Sequence, residues 1–106
     1  MDPGALVEDA AYLTLAFSEL LDYQAAVANT LKALKDVARG RVSTDALADA
    51  FQGWESYHYQ PKVGQGVPAD MRIIFKREPN GVYVLAFGHR YIPSDLYRRT
   101  SELRTK

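Results

Sequence analysis

The stretch MRIIFKREPNGVYVLAFG constrains the fold of this chain more than any other. Asn80-Gly81 stands between two apolar runs, and both residues tolerate the positive φ that a two-residue hairpin turn demands. Pro79 has no amide donor, so it ends the ladder of the first strand. Along that strand Met71, Ile73 and Phe75 share one face, while Arg72, Ile74 and Lys76 share the other. The second strand, Val82 to Phe87, is apolar on both faces, which predicts a central place in a sheet.

The segments around this hairpin supply the remaining elements. WESYHYQPKV places Trp54, Ser56, His58 and Gln60 on one face and Glu55, Tyr57 and Tyr59 on the other. Pro61 ends that strand or puts it at an edge. GQGVPAD reads as a loop. Upstream, Leu20, Val27, Leu31, Leu34 and Ala38 recur at helical spacing through Arg39, with Ser18 as an N-cap and Gly40 as the stop. Lys32, Lys35 and Arg39 oppose the macrodipole favourably at the far end. A second, short helix is expected from Ser43 or Thr44, with Asp45 in its first turn, Leu47 and Phe51 on its apolar side and Gly53 as its end. YLTLAF alternates, so Leu13, Leu15 and Phe17 form one side of a half-buried strand, although Ala and Leu leave a helix open. After Gly88, HRYIP leads to Ser94, an N-cap for the terminal helix DLYRRTSEL. The order predicts a single α+β domain over residues 1–106. An N-terminal strand and a helical hairpin pack on one face of a small antiparallel sheet and a short C-terminal helix follows, with the helices expected on one sheet face.

Composition narrows the function classes. The chain has 106 residues and no cysteine, so disulfides, thiolate metal sites and cysteine nucleophiles are excluded. No apolar run approaches the ~20 residues that span a bilayer. Met1 to Ala10 carries Asp2, Glu8 and Asp9 where a signal peptide would be basic. The expectation is a soluble cytoplasmic protein without membrane contact. No Gly-rich nucleotide loop, zinc spacing or Ser-His-Asp pattern is present, so neither a cofactor nor a metal is expected. The formal charge is zero, yet residues 1–53 hold four basic and eight acidic groups and residues 54–106 nine and five. The basic second half keeps a polyanionic partner open.

The segment MRIIFKREPNGVYVLAFGHRYIPSDLYRRTSEL resembles the C-terminal half of RelE/ParE-superfamily toxins. Those proteins carry an arginine early in the third strand, a hairpin, and an apolar fourth strand ending in a Gly-basic-Arg step. A tyrosine follows several residues later. The matching features are Arg72, Asn80-Gly81, Gly88-His89-Arg90 and Tyr97. Motif matching covers about a third of the chain, and the remainder agrees in the order of its elements. The resemblance implies the toxin of a type II toxin-antitoxin system, held by a cognate antitoxin protein that occupies its active surface. RelE-like members cleave mRNA on the ribosome; ParE-like members share the fold and act on DNA gyrase instead. An inactive interaction module of the same fold is the third possibility.

RNA cleavage without a metal needs a group that activates the ribose 2′-OH, cations at the phosphorane and a proton for the leaving 5′-oxygen. By resemblance, Arg72 grips the phosphate and Arg90 stabilises its charge, while Tyr97 stacks on a base or assists proton transfer. His58 and His89 are the only imidazoles, able to exchange protons near neutral pH. His58 and Gln60 stand where lysine-rich members have two cations, leaving Lys62 nearby. Lys62, Lys76, Arg98 and Arg99 extend a candidate RNA surface, with Tyr59 and Tyr91 as candidate stacking partners, while Tyr57 and Tyr83 read as strand formers on a half-exposed sheet.

Overall fold

A computed structural model describes residue 13, residues 15–17 and residues 20–104, the side chains of residues 103 and 104 excepted. The elements run α1 (Leu20–Ala38), β1 (Asp45–Ala46), β2 (Glu55–Tyr59), β3 (Met71–Glu78), β4 (Gly81–His89) and α2 (Leu96–Arg104). The four strands form one antiparallel sheet in the order β1-β2-β3-β4. The α+β class and the hairpin are as the sequence predicts. Among the described residues no helix is long and apolar enough to cross a membrane.

Helix α1 ends as its glycine predicts. Gly40 has φ +68°, its N–H donates to Val37 O at 3.1 Å, and the N–H of Arg41 donates to Asp36 O at 3.0 Å. That pair of bonds satisfies two of the last carbonyls of the helix. Its inner face meets one side of the sheet, where Ala33, Val37, Tyr59, Met71, Ile73 and Phe75 form a buried cluster. The Tyr59 hydroxyl is 2.7 Å from Thr30 Oγ1, so the polar tip of this core tyrosine is paired across to the helix. The opposite side carries Phe51, Trp54, Ile74, Leu85, Ala86 and Leu96, covered by α2 and by the β1–β2 connection.

Five expectations are corrected. Residues 13, 15 and 16 are helical rather than extended, and the N–H of Phe17 donates to Leu13 O at 2.8 Å. Leu13 is buried and Leu15 is 64% exposed, which strict alternation would not allow. Leu13 and Phe17 instead share a helical face at i, i+4, both against the α1-side cluster. Tyr12, Thr14 and the Ser18 cap lie outside the described residues.

The second helix of the expected hairpin does not form. Asp45 and Ala46 pair with Ser56 and Glu55, the N–H of Leu47 donates to Trp54 O at 2.9 Å, and a single 3-10 turn spans Asp49–Phe51. Leu47 and Phe51 are apolar because they anchor this connection on the Trp54 cluster, not because they line a helix. Gly53, at φ +92°, turns the chain back into β2.

The helices also do not share one face: α1 covers one side of the sheet and α2 the other. Finally, among the described residues β4 is the last strand in the sheet and not a central one. Its two-sided apolarity reflects two covered faces, a property independent of whether its outer backbone edge is paired. The terminal helix is capped by Asp95 in place of Ser94, with the N–H of Tyr97 donating to Asp95 Oδ1 at 2.8 Å.

A β-bulge decides which side chains emerge at the end of β4. Ile74 pairs with Ala86 and Phe75 with Val84, leaving Leu85 as the extra residue. Val82 and Val84 face α1, and so does Phe87, while Leu85 and Ala86 both join the α2-side cluster. Uninterrupted alternation from Val84 would have sent Arg90 toward α1. The bulge reverses that parity and sends Arg90 to the α2 side with Arg72.

Candidate functional site

An open groove of about 520 Å³ lies on the α2 side, where the ends of β2, β3 and β4 emerge beyond the covered part of the sheet. His58, Arg72, Arg90, Tyr91 and Tyr97 line it, and the connection from Leu47 to Phe51 forms its wall. The register explains the convergence. His58 pairs with Arg72, and Arg72 with Gly88. The N–H of Arg90 continues the ladder by donating to Asp70 O at 2.7 Å. Tyr97 stands in the first turn of α2, packed edge-to-face on Phe51 with ring centroids 5.8 Å apart.

Arg90 is held on several sides. Its Nη1 is 2.6 Å from Asp95 Oδ1, and its guanidinium lies over the rings of Tyr97 (4.5 Å) and Tyr91 (5.0 Å). Asp95 thus serves two partners through one oxygen, capping α2 and fixing the arginine. Partial burial pushes its carboxyl up, but hydrogen bonds from Arg90 and from the Tyr97 N–H outweigh this and hold it below its ordinary value. Arg72 is half-buried, and its Nη1 donates to the carbonyls of Ala69 and Met71, which orients the guanidinium at the groove floor.

His58 is exposed, with Nε2 3.5 Å from Asp45 Oδ2. Its pKa lies below the ordinary value, first through partial desolvation and then through the positive charge of Arg72 and Arg90, with Asp45 opposing. A neutral imidazole beside two guanidinium groups is a proton acceptor at neutral pH. Asp49 also lines the groove, in the left-handed region at φ 54°, a conformation Asp tolerates better than most residues. The groove therefore mixes arginines with carboxylates, in keeping with a chain of zero net charge.

The other candidates lie elsewhere. His89 projects to the α1 side, its ring 6.0 Å from that of Phe17, and its Nδ1 accepts from the Tyr91 N–H at 3.1 Å. Burial lowers its pKa foremost, with Arg99 and Arg72 adding to this and Asp70 opposing. The sheet separates it from the groove although it is the chain neighbour of Arg90. Lys62 pairs with Asp22 at 2.9 Å and fastens the loop after β2 to α1. Lys76 lies over the Trp54 ring at 5.0 Å, and Arg98 pairs with Glu102 one turn on. Arg99 is only 7% exposed and donates to the carbonyls of Ser94 and His89, so it ties α2 to the end of β4 instead of presenting a charge to RNA.

Sequence reasoning missed Asp95, the Asp45 partner of His58 and the wall from Leu47 to Phe51. An acidic residue directly before an amphipathic helix is an N-cap signal, and Asp95 carried it. The wall has no local signal of its own, because the spacing of Leu47 and Phe51 predicts a helix there. No protein-family model, curated protein or solved structure matches the chain.

Proposed function

We propose that this chain is a RelE-type toxin, a metal-independent endoribonuclease that cuts mRNA in the ribosomal A site and is held in check by a cognate antitoxin in the cytoplasm. The observation that carries this reading is the convergence of His58 of β2, Arg72 of β3, Arg90 just past β4 and Tyr97 of α2 on one groove. Neutral His58 takes the proton of the 2′-OH, and the 2′-oxygen attacks phosphorus. Arg72 and Arg90 face the charge that grows on the phosphorane oxygens, where fixed guanidinium donors act with little reorganisation. The bond from phosphorus to the 5′-oxygen breaks, and that oxygen takes a proton from water in the open groove. The products are a 2′,3′-cyclic phosphate and a 5′-hydroxyl. Tyr97, beneath Arg90, positions the nucleotide.

Carboxylates among the arginines weaken the attraction for free RNA, which favours a substrate delivered by the ribosome over one captured from solution. The same ion pair between Arg90 and Asp95 favours a second reading, a ParE-like gyrase inhibitor or an inactive module in which that arginine only holds the fold. Mapping mRNA 5′ ends in a reconstituted translation reaction separates them. Wild type should cut within A-site codons, and Arg90→Ala should lose roughly 10²–10³-fold in rate, the cost of one transition-state donor. Its stability should fall by no more than about 1 kcal/mol. Intact mRNA with wild-type protein would leave only the second reading.

A further inference from the structure

A second concavity, about 260 Å³, lies on the other side of β2, between that strand and α1. Asn29, Lys32 and Asp36 of the helix line it, with Tyr57, His58 and Gln60 opposite. His58 borders both this cavity and the arginine groove. The two meet over the edge of β2, because β1 pairs only with Glu55 and Ser56 and leaves residues 57–59 without a neighbouring strand on that side among the described residues. Leu47 bonds to Trp54 and Asp45 stands opposite Ser56, so His58 is the next position whose backbone N–H and C=O face outward.

The wall of the cavity is set before any ligand arrives. Asn29 Nδ2 donates to Gln60 O at 3.1 Å, and Gln60 Nε2 donates to Gly64 O and Val67 O at 3.0 and 2.7 Å. Lys32 and Asp36, one turn apart, make no side-chain hydrogen bond or ion pair among the described residues. The cavity thus presents a donor beside an acceptor next to the aromatic ring of Tyr57. Burial, and then the charge of Asp36, push the Tyr57 phenol up, so its hydroxyl remains a donor. A phosphate or carboxylate would meet the Asp36 charge. A flat, uncharged ring with a donor and an acceptor side by side meets complementary groups, and every nucleobase has such an edge.

We propose that this cavity is a nucleobase subsite, taking the base of a nucleotide that flanks the cut while the phosphate lies between Arg72 and Arg90. The inference rests on the endoribonuclease reading. It makes His58 the divide between the base and the reacting phosphate and gives the open edge of β2 a use, since the RNA backbone crosses there.

The test uses ribosomes with a vacant A site and mRNAs carrying one abasic nucleotide at each position flanking the cut in turn. Single-turnover rates are compared for wild type and Lys32→Ala/Asp36→Asn, both changes lying outside the arginine groove. At one flanking position the missing base should slow wild type roughly tenfold, the scale of one lost base–aromatic contact. The double variant, which keeps the Tyr57 ring, should cut intact mRNA more slowly than wild type and should cut the abasic mRNA no more slowly than wild type does. Wild type cutting abasic and intact mRNAs equally overturns the subsite alone, as does a double variant matching wild type on intact mRNA. Losses that multiply overturn it too. Wild type that cuts no mRNA overturns the nuclease reading along with it. The wild-type scan decides by itself should the double variant not melt with wild type.

Discussion

On the α1 side of the sheet, Met71, Ile73 and Phe75 lie fully buried under a 19-residue helix, and the histidine that emerges there packs against a phenylalanine. On the α2 side a nine-residue helix and a single 3-10 turn cover Ile74, Leu85 and Ala86 but stop short of the strand ends. Unequal cover decides where a charged site can stand. Under the long helix an unpaired guanidinium would lose its water without compensation. Where the short helix stops, Arg72 and Arg90 stay partly solvated while carbonyls, a carboxylate and two tyrosine rings hold them in place. The groove is the gap left by incomplete cover, and the same short helix that leaves it open supplies Tyr97 to it.

Three measurements break or sharpen this contrast. The largest effect belongs to the closed side: Phe75→Ala should cost about 3–5 kcal/mol, as a fully buried aromatic with no route to collapse. Urea titration reads it, and a loss under about 1 kcal/mol would show that α1 does not close this face as tightly as its burial implies.

On the open side the expected effects are smaller and turn on Asp95. Asp95→Ala removes both the helix cap and the partner of Arg90, and should cost about 1–2 kcal/mol. Asp95→Asn keeps an acceptor for the Tyr97 N–H and should cost less than half as much. Equal losses in a thermal melt would assign the stabilisation to charge and not to the cap.

The smallest effect compares the two histidines. Both bind a proton less readily folded than unfolded. The stability each contributes is therefore complete above about pH 6.5 and is lost as pH falls through its folded value. Melting temperature should decline on acidification below about pH 6.5 and level off once both folded values are passed. His89→Gln on the closed side should remove more of that slope than His58→Gln on the exposed one. The reverse ranking would place the larger desolvation in the groove.

Local chemistry made much of this legible in advance. Asn80-Gly81 specified the hairpin through its φ requirements, and alternation separated Tyr59 from Trp54 and His58 within β2, and Ile73 and Phe75 from Arg72 within β3, while the register between the strands set which of these faces coincide. Gly40 announced the end of α1. The strand reading of YLTLAF failed because residues at i and i+4 satisfy both a period of two and a helical face, and only packing against Ala33 and Val37 chose between them. The helix expected through Leu47 and Phe51 failed because two anchors four apart also suit a short connection pinned to an aromatic cluster.

The antiparallel hairpin, the long amphipathic helix and the separation of apolar from charged faces within each strand follow from side-chain size, φ preference and spacing over a few residues. Long-range pairing was needed to put β4 last among the described strands, to set α1 and α2 on opposite sides, and to place a bulge at Leu85 that sends Arg90 to the groove and His89 away from it. Those outcomes depend on which backbone groups pair between segments distant in the chain, and one extra residue in a ladder reverses every facing beyond it without changing the hydrophobic pattern that precedes it.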